Sequence, residues 1–402
     1  AKVNGQVDSS FDVDAHNTHG RATATTQEQQ VTGVLGTILT ANGAIDVDGT
    51  AMVNQDAKAS THGGGDANAN VFSGPNFSAG GGLDSSGNSV EAGGSPQFPL
   101  DGVTGIAYTG NIDGQSSVDL DGIASYTGSA DADNTTGNAN ARVGNHSQPL
   151  QATVGALLVT PHDVNSNGDM TINGQATAMT TSSANTHSGA ASAEVNSNAV
   201  KGIKSNQDVE YQSEKDLTVN GQATFSANVD SVSVGNNGNH KKSSARATLE
   251  NAVGTDLSGL NSGGFTSGIN KLNAKGAIDA DGHANTTLDA KALNTTGNAD
   301  ANTATGLQKG LIVSNNGSSN PNLSVIDGST VDLSGTVTSK AIAHASTHGG
   351  GDANANAKAV RPSTLLTFGA EKIGVDVDRT NSKGTAKVNG QVDSSFDVDA
   401  HN

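Results

Sequence analysis

Aspartate-rich phrases recur along this 402-residue sequence, and carboxylates are the groups in it best suited to chemistry. Clustered carboxylate and carbonyl oxygens are the ligands that Ca²⁺ prefers. Short phrases of this kind occur at Asp46–Gly49, Asp119–Gly122 and Asp279–Gly282. The richest stretch runs from 163 to 169 and has oxygen-bearing side chains at its first, third and fifth positions and Gly at its sixth, like the start of an EF-hand loop. The sequence thus makes calcium the candidate cofactor, with the predicted ligands Asp163, Asn165, Asn167 and Asp169.

A second interpretation of the aspartates needs no metal. The acidic residue that would close an EF-hand loop at position 12 is replaced by Gly174. Alternation also places Asp46 and Asp48 on the polar side of a strand, where solvation and protection of a sheet edge account for them equally well. Both interpretations stay open at this stage.

Histidine recurs in turn-like segments. If the repeated units stack, these side chains could form a ladder that binds a transition metal. They serve equally well as polar turn residues, because no second ligand stands at a recognisable spacing. The residues are His19, His62, His187, His240 and His348.

No catalytic signature accompanies these residues. The sequence has no Cys nucleophile, no G-x-S-x-G elbow, no P-loop and no H-E-x-x-H motif. We therefore predict that the chain is not an enzyme; the weakest alternative is a polysaccharide-cleaving solenoid with paired carboxylates.

The elements that carry these residues alternate strictly between apolar or small and polar positions. Val3, Gly5 and Val7 fall on one face, and Asn4 and Gln6 on the other. Side chains of a strand point to opposite faces with period two, so the pattern predicts long one-sided strands. We predict that the apolar face takes part in assembly through Val3, Val7, Phe11, Val13, Val388, Phe396 and Val398.

Turn-like segments rich in Thr, His, Asn and Gly follow the long strands, and Ala-alternating segments such as 66–70 follow the turns. Gly and Asn tolerate the positive φ of tight turns. We interpret each pair of strands as a β-hairpin. The connectors add short apolar strands at 34–39, 156–159 and 310–313, and the longest connector, 72–109, is predicted to be a surface loop or insertion.

Internal repeats organise the chain. A β-type phrase that ends in Gly recurs at Gly5, Gly49, Gly114, Gly174, Gly221, Gly282, Gly335 and Gly390. These phrases predict seven units of about 55 residues on average. The predicted units are 1–43, 44–110 with the long Gly/Pro loop, 111–170, 171–216, 217–276, 277–329 and 330–385, and 386–402 begins the next period.

One segment returns without any change: residues 1–17 recur as residues 386–402. The units share far less with one another than these two segments do. We expect one of two explanations, and favour the first: a longer natural chain with a 385-residue period, or strand exchange in which one copy's last strand takes the place of another copy's first.

Composition limits the partners and the core. Only 33% of residues are hydrophobic, with no Trp, 3 Tyr and 8 Phe, so a core must be thin and built from small residues. The net charge of −18 disfavours nucleic acid, and no apolar run is long enough to insert into a membrane. The absence of Cys is compatible with an extracellular or cell-surface location. Low apolar content also fits disorder, but strict alternation argues against it.

These observations predict an all-β tandem array of about seven hairpin or meander units, forming an elongated solenoid- or sandwich-like filament. The alternative is a seven-bladed β-ring. In composition and repetition the sequence resembles giant repetitive bacterial surface and matrix proteins, such as large adhesins and biofilm or sheath fibres. That resemblance implies a structural role in which the partner is the protein itself. The alternative function is a calcium-dependent adhesin or a carbohydrate-binding repeat protein, for which Tyr108, Tyr126 and Tyr211 are too dispersed to form a platform.

Overall fold

The computed structural model describes residues 1–28, 30–36, 38–73, 102–108, 110–144, 153–159, 163–196, 199–205, 209–235, 244–250, 256–262, 270–313, 324–359 and 372–402. Every regular element within these ranges is a β-strand, which confirms the predicted all-β class. None of the described residues forms a helix with the length and apolarity needed to cross a membrane.

The strands follow a cycle of one long strand and three shorter ones, and each cycle is one coil of a solenoid. The long strands form an eight-stranded sheet, the long sheet. Its members are β1 (Lys2–Asn17), β5 (Ile45–Thr61), β9 (Val118–Asn134), β13 (Met170–Thr186), β17 (Leu217–Ser233), β21 (Ala277–Asn294), β25 (Thr330–Thr347) and β29 (Ala386–His401).

The strands that come second in each coil form a seven-stranded sheet, here named the alanine sheet. Its members are β2 (Ala22–Glu28), β6 (Ala67–Ser73), β10 (Ala139–Val143), β14 (Ala190–Asn196), β18 (Ser244–Glu250), β22 (Asn298–Thr305) and β26 (Ala353–Ala359). Ala and Val alternate inward along these strands, as at Ala67, Ala69 and Val71.

Two further seven-stranded sheets complete the coil. The inner sheet contains β3 (Gln30–Gly36), β7 (Gly102–Tyr108), β11 (Thr153–Val159), β15 (Ala199–Ser205), β19 (Asp256–Ser262), β23 (Leu307–Val313) and β27 (Lys372–Val377). The short sheet contains β4 (Leu39–Ala41), β8 (Ile112–Gly114), β12 (Val164–Ser166), β16 (Glu210–Ser213), β20 (Asn270–Ala274), β24 (Ser324–Gly328) and β28 (Thr380–Ser382).

All pairing is parallel and runs between equivalent strands of successive coils. The predicted hairpins are therefore wrong. The strands on either side of a turn belong to different sheets, and they pack face to face instead of sharing hydrogen bonds. The open sheets, with β1 and β29 at opposite edges of the long sheet, also differ from the predicted alternative of a closed ring of blades.

Two details of the predicted repeat need correction. Gly114 lies in the short sheet, and Gly122 is the residue that pairs with Gly49 and Gly174 in the long sheet. The predicted loop at 72–109 contains the strand β7, although residues 74–101 lie outside the described part of the chain. The apolar connector strands predicted near 34, 156 and 310 are confirmed as β3, β11 and β23.

A row of glycines divides the interior into two compartments. Gly5, Gly49, Gly122, Gly174, Gly221, Gly282, Gly335 and Gly390 share one register across the long sheet. Facing residues of the inner sheet are small too: a Cβ on Gly105 would lie 2.6 Å from the backbone nitrogen of Ile123. The two sheets can approach this closely only because side chains are absent there.

The compartments differ in the residues that fill them. On the N-terminal side of the glycine row, the long strands pack Ile, Leu and Val against the inner and short sheets, and Tyr211 is fully buried there. On the C-terminal side they pack Ala and Val against the alanine sheet. The prediction of a thin core built from small residues is thus correct for the compartment on the C-terminal side of the glycine row.

From β5 to β25 the corner after each long strand is held by a buried polar side chain, and the equivalent Asn17 of β1 is partly buried. Asn134 accepts hydrogen bonds at Oδ1 from the backbone N–H groups of Thr136 and Gly137, each at 3.0 Å, and donates from Nδ2 to the carbonyls of Asn138 and Gly65. Thr186 and Ser233 instead donate to a glycine carbonyl in the preceding corner, each at 2.8 Å. Buried polar groups are thereby satisfied where the chain turns.

The stack is short compared with its width. Eight strands about 4.8 Å apart give a stack of ~34 Å, whereas a 17-residue long strand spans ~56 Å.

Candidate functional site

The outer face of the long sheet carries the most regular polar surface of the described residues. Because the register never slips, equivalent side chains of successive coils form rows about 4.8 Å apart. One row next to the glycines consists of amides, carboxylates and one hydroxyl: Asn4, Asp48, Asp121, Asn173, Asn220, Asp281, Ser334 and Asn389. Its members are bonded in series, since Asn173 Nδ2 donates to Asp121 Oδ1 at 2.6 Å and Asn220 Nδ2 donates to Asn173 Oδ1 at 3.0 Å.

A row with more charged residues lies two residues earlier on the same face. It contains Lys2, Asp46, Asp119, Thr171, Thr218, Asp279, Asp332 and Lys387. Partial burial, together with the negative charges of Asp121, Asp46 and Asp48, raises the pKa of Asp119. Burial and the charges of Asp281 and Asp332 likewise raise the pKa of Asp279. Like charges therefore accumulate within this row, and the lysines at its two ends, Lys2 and Lys387, partly offset them.

A shallow groove runs across the strands directly above the glycine row. Gly122, Gly174 and Gly221 form its floor. One wall is the amide and carboxylate row from Asp121 to Asp281, and the other wall is formed by the next outward row, Ile123, Gln175, Gln222 and His283. The groove offers repeated hydrogen-bond donors and acceptors to a molecule that lies along the stacking direction.

The predicted calcium ligands lie along a strand and the turn after it. Asn165 is in β12 and donates to Asp113 Oδ1 at 2.7 Å, and Asn167 donates to Gln115 Oε1 at 2.7 Å. Asp169 Oδ1 accepts a long bond of 3.4 Å from the backbone N–H of Asp216, and Asp163 accepts through its backbone carbonyl from Ile112. The side chains of Asn165, Asn167 and Asp169 thus bond to neighbouring coils.

No set of three or more His, Cys, Asp or Glu side chains in the described ranges is arranged to hold a metal ion. The acidic rows have the right chemistry for Ca²⁺, but their members lie in extended rows.

The turn histidines do not make a continuous ladder. His62, His187 and His348 occupy the same corner position, but Thr135 separates the first two. Two coils put them ~10 Å apart, farther than two ligands of one ion lie. His19 stands one residue later in its corner, and His240 is outside the described residues.

The predicted assembly residues all lie on the inward side of the two edge strands of the long sheet. Val7 and Phe11 of β1 are 38% and 40% exposed, and Val3 and Val13 are partly buried against the two core clusters. In β29 exposure is 49% for Val388, 48% for Phe396 and 49% for Val398. These apolar side chains occupy core positions, but they stay partly exposed because they lie at the two ends of the stack.

Sequence reasoning missed the lysines of the edge strands and the asparagines of the corners. Lys2 Nζ lies 2.8 Å from Asp46 Oδ2, and Lys387 Nζ lies 3.0 Å from Asp332 Oδ2. The sequence does contain a pattern that marks the asparagine corners, because Gly follows Asn by three residues at 17, 134 and 294.

Comparison with known proteins gives no relatives: no protein-family model, curated protein or solved structure matches this chain.

Proposed function

We propose that this chain is a structural protein, a subunit or repeat segment of an extracellular filament, sheath or biofilm-matrix fibre. The observation that carries the proposal is the set of four parallel ladders, in which each coil presents to the next a nearly complete set of backbone hydrogen-bonding groups. Such sheets grow by adding coils, and each coil contacts only its neighbours. The partner is therefore the protein itself.

Composition supports a location outside the cell. A net charge of −18 keeps a repetitive surface soluble, and the stack needs no thiol chemistry, since it contains no Cys. Stability comes from ladder hydrogen bonds and small-residue packing.

Negative-stain imaging of the purified material, combined with X-ray diffraction from aligned samples, tests the proposal. We expect filaments whose axis is the stacking direction, with a strong reflection near 4.8 Å along that axis. Discrete particles at every concentration and ionic strength would contradict a filament.

The groove on the long sheet favours a second candidate function, a calcium-dependent adhesin or a carbohydrate-binding repeat protein. Its walls carry carboxylates, amides and His283, which suit sugar hydroxyls. Such a site would bind sugars without stacking them on tyrosine, because Tyr108, Tyr126 and Tyr211 are buried in the core.

Chelation and glycan binding test this second candidate. The melting temperature of a calcium-dependent protein would fall in chelator and rise again when Ca²⁺ is added, by mass action. A glycan-binding groove would lose affinity when Asn173 and Asn220 are both changed to Ala. An unchanged melting curve together with no glycan retention would leave the structural role alone.

A further inference from the structure

The first and last strands of the long sheet have the same sequence and pair in the same register with their neighbours. Lys2 pairs with Asp46 in β5, and its counterpart Lys387 pairs with Asp332 in β25. Asp46 and Asp332 are themselves equivalent positions in successive coils. One strand could therefore follow β25 and precede β5 without any shift of register.

The backbone groups used in the two pairings do not compete. The carbonyl of Ala1 accepts from the N–H of Asp46 at 2.9 Å, whereas the carbonyl of Thr385 accepts from the N–H of Val331 at 2.9 Å. Thr385 immediately precedes Ala386, the counterpart of Ala1. Consecutive carbonyls of a strand point to opposite edges, so a single strand can satisfy both neighbours at once.

Charge is complementary across the same strand. Lys2 Nζ lies 2.8 Å from Asp46 and 3.6 Å from Asp48, on the β5 side. Lys387 Nζ lies 3.0 Å from Asp332, on the β25 side. In a shared strand one lysine would stand between these carboxylates, in a row that is otherwise acidic on both sides.

The apolar face has a matching cover. In the first coil, β2 and β3 pack on the inward face of β1, and Val13 and Ala15 are partly buried there. The same side chains in β29 are exposed. The strands β2 and β3 of a second copy would cover β29 as they cover β1.

We propose that β29 also serves as the first long strand of a second copy of this chain, so that all four sheets continue through a shared, lysine-bridged strand. This inference rests on the proposed function and specifies its interface: the sequence 386–402 replaces residues 1–17 of the following copy. The geometry of the junction is then that of any other coil boundary.

A tandem chain tests the junction. Residues 1–402 are followed directly by residues 18–402, so that the middle copy of the repeated strand is shared. Because the sequence has no Cys, Val398→Cys introduces a unique thiol on the inward face, and its labelling rate reports exposure. We expect labelling to be about tenfold slower or more in the tandem than in the 402-residue chain, as for a core position that opens rarely.

Two matched variants control this measurement. Asp399→Cys lies on the outward face of the same strand and should label at equal rates in both chains. In the tandem, Lys387→Glu should speed labelling at position 398 severalfold, since it adds a carboxylate beside Asp332, Asp46 and Asp48. Lys340→Glu, whose row neighbours are Thr287 and Ser395, should not.

The labelling experiment tests the shared strand, and it does so independently of whether the protein forms filaments. Equal labelling of Val398→Cys in the single and tandem chains would overturn the shared strand, even if filaments form by another contact. Slow labelling in the tandem, with the Lys387→Glu effect, would support the shared strand even if imaging of the purified material shows no filaments.

Discussion

At the scale of single residues, each corner asparagine satisfies several backbone groups at once. Asn294 is fully buried, accepts from the N–H groups of Thr296 and Gly297 at 3.0 and 3.1 Å, and donates to the carbonyl of Asn298 at 2.9 Å. One side chain thus satisfies three backbone groups at a buried turn.

Asn294→Ala should lower the free energy of unfolding by about 2–4 kcal/mol, because it leaves buried backbone groups without partners. Chemical denaturation measures the change. Asn220→Ala removes an exposed amide with a single bond to Asn173 and should cost less than about 1 kcal/mol. Similar losses in the two variants would contradict a special role for the corner.

Asp131 is a carboxylate whose surroundings disfavour its charged form. Burial, with further contributions from Asp133 and Asp56, raises its pKa, although a hydrogen bond from Ser183 and the charge of Lys58 oppose the shift. A raised pKa means that the folded state holds the proton more tightly than the unfolded state does. The stabilising effect of protonation is complete below the unfolded value of 3.8 and is lost as the pH rises through the folded pKa.

Asp131→Asn should therefore make the protein more stable than the wild type at pH 7 and leave stability unchanged near pH 3. Urea denaturation at the two pH values measures this. The comparison at low pH is its own control, because both side chains are then neutral. A variant that is less stable at pH 7 would show that the hydrogen bond from Ser183 and the charge of Lys58 outweigh burial.

At the scale of elements, the glycine row sets how closely the long and inner sheets approach. A Cβ on Gly174 would meet the carbonyl of Gly202 and would lie 2.7 Å from Cγ1 of Ile203. The backbone has no room to relax in one coil without disturbing its neighbours in the ladder.

Gly174→Ala should destabilise the protein by about 1–3 kcal/mol through overpacking. Thermal or chemical denaturation measures the loss. Gly64→Ala is the matched control, since no atom lies within 4 Å of a Cβ placed there. Equal tolerance at both glycines would mean that the two sheets can separate at little cost.

Alternation predicted the strand faces correctly but could not predict their pairing. Val331, Leu333 and Val337 are buried as the period of two required. A period of two is the same in parallel and antiparallel sheets, so hairpins and coils cannot be told apart on that basis. The turn residues gave no help either, because Asn and Gly suit a corner between sheets as well as a hairpin.

The polar surface of the long sheet was only partly predictable, because its rows depend on how the strands pair. The aspartate phrases were visible in the sequence, but their arrangement in rows depends on which strands are neighbours. Gly114 was mistaken for a row member because its local phrase, Ile-Asp-Gly, resembles the others. The ion pairs of the lysines in β1 and β29 could not be predicted either, because they depend on Asp46 and Asp332 of the neighbouring strands.

At the scale of the whole molecule, the stack is a one-dimensional array whose coils are interchangeable in register. Ala178 pairs with Phe225, its equivalent one coil later. Removing residues 178–224 therefore deletes one coil and joins Thr177 to Phe225 with the alternation intact.

The variant that lacks residues 178–224 should fold cooperatively and keep its β-sheet circular dichroism signal. The variant that lacks residues 178–225 should not, because one further residue inverts the inward and outward faces of the joined strand. Circular dichroism with denaturant titration compares the two. Equal folding of both would show that the faces of the long sheet are not distinguished.

The parallel stacking also decides how the molecule carries load. Tension along the stacking direction acts on all four ladders of a coil boundary together, so no single bond can fail before its neighbours. The ladders of the weakest boundary would then open together, and the coils on either side would stay joined by the backbone that runs from one coil to the next. Tension along a long strand would instead be carried by covalent backbone, with the ladders loaded in shear. The same array thus resists tension with covalent bonds along its strands and with hydrogen-bond ladders along its stack.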